Sequence, residues 1–414
     1  MKEKSHAEVW TKFFHNGLNM NIYRVKIYIR AASGSGVIQM QEDCMASSRR
    51  KIESLLSCAG IEIGGSRPWD IQVHNDNFYT RVLAKGSLGL GESYMDAWWD
   101  CERLDELFNR ILKSDISKRV RTWTNFADHV KALVINTQKG ERAYQVGERH
   151  YDIGNDLYRT MLDRRMIYSC GYWPDASTLD EAQEAKLDLI CRKLGLKEGM
   201  SVLDIGCGWG GAARFAAEHY GVKVTGITIS REQLATAKDM CRGLPAEFQL
   251  MDYRLLNEKF DRIFSIGMFE HVGHKNYTEY FDVAKRCLKS GGLFLLHTIG
   301  QNTSSRSGDP WITRYIFPNS VLPSASDITS AVEGRFVIED WHSFGPDYDT
   351  TLMQWYRNFT GSWESLRGRY SESFYRMWKY YLLCCAGTFR ARSNQVWQLV
   401  LSPDGLAGGY QAVR

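Results

Sequence analysis

The chain has 414 residues, of which 44% are hydrophobic, and a formal net charge of +4. This length exceeds one typical domain and the composition supplies a full core, so we expect two domains. The small charge gives no support for a nucleic-acid-binding protein, and we expect no nucleic acid as a partner. The ten cysteines show no C-x-x-C and no metal-type spacing, which predicts reduced thiols and no metal site.

Two further features bear on location. No apolar run approaches the roughly 18–20 residues that span a bilayer. The first residues, Met1-Lys2-Glu3-Lys4-Ser5, lack the apolar core of a signal peptide. We therefore expect a cytoplasmic protein that would reach any lipid from the bilayer surface.

Residues 1–45 lack the apolar periodicity of the rest and contain Met40 and Met45 near their end. We expect a dispensable N-terminal extension, either disordered or produced by a start codon assigned too early.

Residues 46–147 are predicted to form a small, mainly helical domain that handles lipid. Gly86-Ser87-Leu88-Gly89-Leu90-Gly91 is expected to be a loop before a helix that carries Trp98 and Trp99. The functional interpretation is a platform for an apolar chain; the alternative is that the tryptophans fill the domain interface. The other predicted elements are helices at 48–58, 77–84 and 104–112 and short strands at 61–63 and 68–73.

A cluster of basic residues follows in the same region. Such clusters are attracted to anionic lipid headgroups, although a solvated helical face is an equally good interpretation of charge alone. The cluster consists of Arg110, Lys113, Lys118, Arg119, Arg121, Lys131, Lys139 and Arg142.

From residue 148 to 414 apolar strands alternate with helices, as in an α/β fold. We predict a seven-stranded Rossmann-like sheet beside the smaller helical N-terminal domain. Two helices rich in Trp, Tyr and Phe, at 350–366 and 371–388, are expected to cover the cleft. The predicted strands are 201–205, 222–228, 246–250, 260–267, 292–299, 336–341 and 396–401.

A glycine turn follows the first of these strands. Gly206, Gly208 and Gly211 satisfy G-x-G-x-x-G, but the strand at 222–228 ends without the acidic residue that holds a ribose in dinucleotide-binding proteins. Asp204 instead precedes the first glycine, where a carboxylate can receive the ammonium of an amino-acid-bearing ligand. The pattern favours S-adenosyl-L-methionine and therefore a seven-stranded Rossmann-like methyltransferase sheet; a dinucleotide site and a sheet without ligand remain the alternatives.

The chain resembles the cyclopropane-fatty-acyl-phospholipid synthases over about residues 48–414. The only departures are the N-terminal extension and Gly171, which stands where the family usually has Ala. The motifs that carry the resemblance include Gly86-Ser87-Leu88-Gly89-Leu90-Gly91-Glu92-Ser93-Tyr94, His150-Tyr151-Asp152, Tyr168-Ser169-Cys170, Gly267-Met268-Phe269-Glu270-His271-Val272, Leu296-His297-Thr298-Ile299-Gly300, Asp347-Tyr348-Asp349-Thr350-Thr351 and Cys385-Ala386-Gly387.

This resemblance implies an enzyme that adds the methyl carbon of S-adenosylmethionine across a cis double bond of a phospholipid acyl chain. A carbocation forms, a base removes a proton from the new methyl group, and the ring closes. The resemblance implies bicarbonate as that base, an unsaturated phospholipid as substrate, and peripheral association with the inner face of the membrane. It leaves open whether the protein is a homodimer.

The residues expected at the cofactor come partly from the pattern and partly from the resemblance. The pattern assigns Asp204, Gly206 and Gly208 to the methionine end. The full set is Tyr168, Ser169, Asp204, Gly206, Gly208, Thr228, Gln233 near the ribose, and Asp252 and Tyr253 at the adenine.

The resemblance also implies the catalytic residues Glu270, His297, Tyr348, Cys170 and Cys385. The bicarbonate would lie between the side chains of Glu270, His297 and Tyr348 and the backbones of Cys170 and Ile299. Judged without the family, Glu270 could cap a helix, His297 could be a core residue, and Cys385 could serve packing alone.

Three other function classes stay open at this point. One is a fatty-acyl methyltransferase without ring closure. Another is a small-molecule methyltransferase, which would not need the first domain. The last is a lipid-binding protein with a decayed enzyme domain, against which the intact glycine turn, Glu270 and His297 argue.

Overall fold

The computed structural model describes residues 34–114, 116 and 154–414, with side chains from residue 45 onward. Most of the expected extension, the His150-Tyr151-Asp152 motif and the basic residues from Lys118 to Arg142 therefore lie outside the described residues. Within these ranges, none of the helices combines the length and apolar character that crossing a bilayer requires.

A seven-stranded sheet forms the centre of the molecule, as predicted. Its strand order is β5-β4-β3-β6-β7-β9-β8, in which β9 runs antiparallel to both β7 and β8 while the remaining pairs are parallel. The strands are β3 Ser201–Ile205, β4 Lys223–Thr228, β5 Ala246–Leu250, β6 Phe260–Ile266, β7 Leu288–Gln301, β8 Val337–Ser343 and β9 Asn394–Ser402.

The first strand of this sheet, β3, determines where a ligand can bind. Val202, Leu203 and Ile205 are completely buried, which explains the continuous apolar run in the sequence. The chain moves outward from β3 to β4 on one side and then returns to β6 on the other. The carboxyl end of β3 is therefore a topological switch point, the usual position of a ligand crevice in open α/β sheets.

Helices cover both faces of the sheet. The helix α6 begins with a capping box, in which the Thr178 side chain accepts from the Glu181 N–H and the Glu181 carboxylate accepts from the Thr178 N–H. The helices after residue 153 are α5 Asn155–Met161, α6 Leu179–Lys193, α7 Gly211–Tyr220, α8 Arg231–Met240, α9 Tyr277–Arg286, α10 Pro310–Tyr315, α11 Ala325–Val332, α12 Pro346–Gly361, α13 Trp363–Leu366 and α14 Glu372–Arg390.

The N-terminal region is mainly helical where the structure describes it, and the first helix in its described part begins at Gly34, inside the segment assigned to the extension. The strands expected at 61–63 and 68–73 reduce to an isolated Ile63–Ile71 bridge and one short antiparallel pair. Its elements are α1 Gly34–Ser57, β1 Gln72–Val73, α2 Asn77–Lys85, α3 Ser87–Met95, β2 Trp99–Asp100 and α4 Leu104–Lys113.

The prediction for the glycine-rich segment was wrong, because residues 87–95 form the helix α3 and not a loop. A Cβ at Gly89 would collide with the carbonyl of Arg81, and one at Gly91 would collide with the indole of Trp311. The glycines thus permit close packing within a helix. Trp99 is buried in β2, where its Nε1 donates to the Leu90 carbonyl at 3.1 Å.

The N-terminal helices share one hydrophobic core with the helices that cover the sheet. Tyr94 and Trp99 lie 5.5 and 6.5 Å from the ring of Tyr380 on α14. The Arg376 guanidinium on α14 donates to the backbone carbonyls of Tyr94 and Trp99. The helix α14 therefore holds the N-terminal region against the part of the chain that contains the sheet.

We expect Gly91→Ala to destabilise the protein by about 1–3 kcal/mol, because the new methyl group must displace the buried Trp311 ring. Gly361→Ala is the matched control: its Cβ would meet nothing within 4 Å at the end of α12, so stability should be unchanged or rise slightly. Urea unfolding of both variants measures the difference. Equal stability of the two would show that α3 does not pack tightly on Trp311.

Candidate active site

One cavity lies at the carboxyl ends of β3, β4 and β6. The structure brings all nine residues expected at the cofactor into its lining, together with others that include Met166, Trp209, Met268, His271 and Asn319. The expected residues are Tyr168, Ser169, Asp204, Gly206, Gly208, Thr228, Gln233, Asp252 and Tyr253.

The glycine turn shapes the floor of this cavity. Gly206 has φ +88° and Gly208 has φ +53°, conformations that L side chains rarely adopt. A Cβ on Gly206 would lie 2.8 Å from the Met268 side chain, whereas one on Gly208 would meet no atom within 4 Å. Because Gly208 has no side chain and the space beside it is open, a ligand can approach its backbone closely.

Asp204 is the penultimate residue of β3, and its side chain is almost completely buried. Its Oδ2 has no hydrogen-bond partner in the described ranges. Burial raises the pKa of Asp204 to about 8, and the positive charge of Lys186 opposes this rise. A buried carboxylate with an open oxygen is costly unless a donor reaches it, so the position suits the ammonium of an amino-acid ligand.

Gln233 and Thr228 stand together at the second strand. The Thr228 hydroxyl donates to Gln233 Oε1 at 2.9 Å, and the Ser230 hydroxyl accepts from the Gln233 N–H at the start of α8. The bond occupies the amide oxygen, which leaves the amide N–H groups of Gln233 for a ligand.

Asp252 and Tyr253 follow the third strand. Asp252 Oδ1 accepts from Arg254 Nε at 2.9 Å and from the Arg254 backbone N–H at 3.0 Å. The ring of Tyr253 lies 5.3 Å from the buried ring of Tyr280. This end of the cavity is therefore held rigidly by an ion pair and an aromatic contact.

Tyr168 and Ser169 form the opposite wall. The Tyr168 hydroxyl is 2.7 Å from the hydroxyl of Tyr381 on α14. Ser169 is held twice by α6: its carbonyl accepts from Gln183 Nε2 and its Oγ accepts from Lys186 Nζ, both at 2.8 Å. The sequence analysis missed Gln183, Lys186 and Tyr381.

A signal for two of these residues is present in the sequence. Gln183 and Lys186 are three residues apart and share a helix face with Leu187 and Ile190, which are buried. Polar side chains within the apolar face of a helix need partners inside the protein, so this spacing marks a buried polar contact.

Glu270 lies in a short 3₁₀ turn after β6 and is buried. Its Oε1 accepts from the Ile299 N–H at 2.6 Å, whereas its Oε2 has no partner in the described part of the chain. Burial raises the pKa of Glu270 to about 7, against the opposing hydrogen bond from the Ile299 N–H. The Ile299 N–H that we expected to face an anion therefore already serves Glu270.

His297 lies in β7 and is also buried. Its Nδ1 is 3.3 Å from Gln398 Nε2, and no hydrogen bond joins the ring to Glu270 within the residues that the structure describes. Burial, with the positive charges of Lys186 and Lys193, holds the pKa of His297 well below its usual value, so the ring is neutral. With Gln398 as donor, Nδ1 accepts and Nε2 carries the proton.

Two thiols and a phenol complete the expected set. Tyr348 on α12 is buried, with its ring 4.6 Å from that of Phe389. Burial raises the pKa of the Cys170 thiol well above its usual value and that of Cys385 to about 12. Both thiols are protonated near neutral pH, so neither is a ready nucleophile.

None of the five expected catalytic residues is among the described residues that line the cavity at the glycine turn. Tyr381 connects the two groups, because its hydroxyl meets that of Tyr168 and it belongs to the same hydrophobic cluster as Cys170, Tyr348 and Cys385. The aromatic side chains of α12 and α14 thus continue from the cavity wall at Tyr168.

Comparison with known proteins identifies the family. The model of the mycolic acid cyclopropane synthetase family matches residues 138–399. The cyclopropane-fatty-acyl-phospholipid synthase of Escherichia coli is 53% identical over 368 residues, which is 88% of this chain and 96% of that protein.

Two other relatives support the assignment. A probable fatty acid methyltransferase of Pseudomonas putida is 40% identical over 58% of this chain and 64% of its own. The mycolic acid cyclopropane synthase CmaA1, solved with SAH and CTAB, has a TM-score of 0.58 and 34% identity over 62% of this chain and 97% of its own. The resemblance deduced from the motifs is confirmed, and the chain belongs to the cyclopropane-fatty-acyl-phospholipid and mycolic acid cyclopropane synthase family.

Proposed function

We propose that this protein transfers a one-carbon unit from S-adenosylmethionine to a cis double bond of an unsaturated phospholipid and closes a cyclopropane ring. The observation that carries the proposal is that all nine residues expected at the cofactor line the same cavity. The E. coli relative, whose name states this activity, matches 88% of the chain.

The cavity fits the proposed cofactor. The open Oδ2 of Asp204 would accept from its ammonium group, and the unhindered backbone at Gly208 would let its chain approach. The amide of Gln233 would serve the ribose, and the segment at Asp252 and Tyr253 would border the adenine. When bound, the cofactor supplies an electrophilic methyl group on a sulfonium.

The reaction sets clear demands on the surrounding residues. The π electrons of the alkene form a bond to the methyl carbon while the carbon–sulfur bond breaks, which leaves a carbocation and S-adenosylhomocysteine. Loss of one proton from the former methyl group then supplies the electron pair that closes the ring. Water would capture the cation, so the site must be dry. The aromatic wall of Tyr168, Trp355 and Tyr381 meets this demand.

We assign the removal of the proton to a bicarbonate ion held by Glu270. Two features support this assignment. Glu270 has one open oxygen, and its pKa near 7 permits it to accept or donate a hydrogen bond at neutral pH. His297 is neutral, and its Nε2 would be the donor to the anion if Gln398 donates to Nδ1. Tyr348 and the backbones of Cys170 and Ile299 would complete the anion site. To bind the anion, the Ile299 N–H would have to donate to both the anion and Glu270, or its hydrogen bond to Glu270 would have to break.

The phospholipid would be reached at the membrane surface, with the N-terminal region as the contact. Two members of the basic cluster are described, Arg110 and Lys113, and both lie on the last turn of α4. On α2, Leu83 is 41% exposed, and the Arg81 guanidinium covers the Trp98 ring at 3.6 Å. These cationic and apolar groups suit an anionic bilayer surface.

A fatty-acyl methyltransferase without ring closure is the second candidate, favoured by the P. putida relative. Incubation with labelled S-adenosylmethionine and vesicles of unsaturated phospholipid distinguishes the two. We expect acyl chains that gain one CH₂ and resist ozonolysis, because a ring has replaced the double bond. Labelled chains that ozone still cleaves would indicate methylation without closure, and unlabelled lipid would contradict both candidates.

We expect Glu270→Gln to lower turnover by about 10²–10⁴-fold, the usual cost of losing a positioned general base. Affinity for S-adenosylhomocysteine should change less than about threefold, roughly 0.6 kcal/mol, because Glu270 lies outside the cofactor cavity. The control is Glu247→Gln, an exposed glutamate in β5. Normal turnover of Glu270→Gln, or loss of cofactor binding alone, would refute the assignment.

A further inference from the structure

We propose that Lys186 is a positioning residue that makes the Ser169 hydroxyl a hydrogen-bond donor to the α-carboxylate of the bound cofactor. This inference rests on the proposed function and assigns a role to a residue that does not itself line the cavity. It follows from the contacts of α6, the chemistry of the two groups and the charge around them.

The contacts of α6 fix Ser169 at two points. Gln183 Nε2 donates to the Ser169 carbonyl and Lys186 Nζ donates to Ser169 Oγ, each at 2.8 Å. The capping box at Thr178 and Glu181 fixes the start of the same helix. Backbone and side chain of Ser169 are therefore both held relative to the cavity that Ser169 lines.

The chemistry of the pair then sets the direction of the hydroxyl proton. An ammonium group can only donate, whereas a serine hydroxyl has one proton and can also accept. Because Lys186 occupies an acceptor site of Oγ, the Ser169 proton is left for another partner. A group that accepts this proton in the cavity must offer a lone pair, as a carboxylate does.

The charge around Lys186 favours an anion in the same place. Lys186 is completely buried, and in the described ranges no carboxylate lies within ion-pair distance of Nζ. Burial lowers the pKa of Lys186 to about 8, against the opposing influence of the Asp163 and Asp204 carboxyl groups and the Cys170 thiol. A carboxylate at Ser169 would stabilise the ammonium form of Lys186, and the ammonium of the cofactor would stabilise the ionised form of Asp204.

The affinities for two ligands distinguish this positioning role of Lys186 from a purely structural one. S-adenosylhomocysteine carries the amino-acid carboxylate, and 5′-methylthioadenosine lacks the whole amino-acid portion. A charge-assisted hydrogen bond contributes about 1.5–3 kcal/mol, which corresponds to roughly 10–150-fold in affinity. We therefore expect Lys186→Met to weaken S-adenosylhomocysteine by that factor while the affinity for methylthioadenosine stays within about threefold, as measured by titration calorimetry.

The matched control is Lys193→Met, which removes the other fully buried lysine of α6. Lys193 contacts His342 at 3.0 Å and Asp340 at 3.5 Å, away from Ser169, so the ratio of the two affinities should not change. Ser169→Ala should reproduce the selective loss, and the double variant should lose little more than either single variant. Should Lys186→Met not fold, Lys186→Gln replaces it, and the same selective loss is expected because the shorter amide carries no charge and its oxygen can accept the Ser169 proton.

The outcomes are distinct. Equal losses for both ligands would show that Lys186 is only structural, and unchanged affinities, or an intact S-adenosylhomocysteine affinity in Ser169→Ala, would also overturn the inference. A wild-type protein that binds neither ligand would instead refute the proposed function.

Discussion

The active site depends on the burial of ionisable side chains at and beside the carboxyl ends of parallel strands: Asp204 on β3, Glu270 after β6 and Lys186 on the helix α6. Asp204, Glu270 and Lys186 are each almost fully removed from water, and none has a complete set of partners in the described structure. Burial therefore moves each pKa toward neutrality, to about 8, 7 and 8. A charged ligand can form ion pairs or hydrogen bonds with these buried side chains at little further cost in desolvation, because the protein has already removed them from water.

The helix α14 links this chemistry to the N-terminal region. Its Tyr381 contacts Tyr168 at the cavity wall, while Tyr380 and Arg376 hold Tyr94 and Trp99. A shift of the N-terminal helices on a lipid surface would therefore act on the same helix that covers the site. The shared core makes the two regions one packing unit, although their sequences read as separate domains.

The sequence predicted those parts that depend on local pattern. The apolar runs predicted the positions of the strands, and the glycines with Asp204 predicted the position of the cavity. Both predictions use only residues that are close together in the sequence. The helix α3 was missed, since Gly91 is required by Trp311, more than two hundred residues away, and Gly89 by the Arg81 carbonyl of the neighbouring helix. Lys186 and Tyr381 were missed because their partners come from other elements. The bond from Ile299 to Glu270 likewise depends on the packing of β6 against β7.

In the proposed complex, the ammonium group of the cofactor forms an ion pair with the buried carboxylate of Asp204. With a pKa of about 8, Asp204 is protonated in most empty molecules at pH 7. A bound ammonium favours the ionised form, so binding must release a proton. Titration calorimetry of S-adenosylhomocysteine at pH 7, in buffers of different ionisation enthalpy, measures this release directly. The account predicts about 0.9 proton per site, absent in Asp204→Asn; no release, or the same release in that variant, would contradict it.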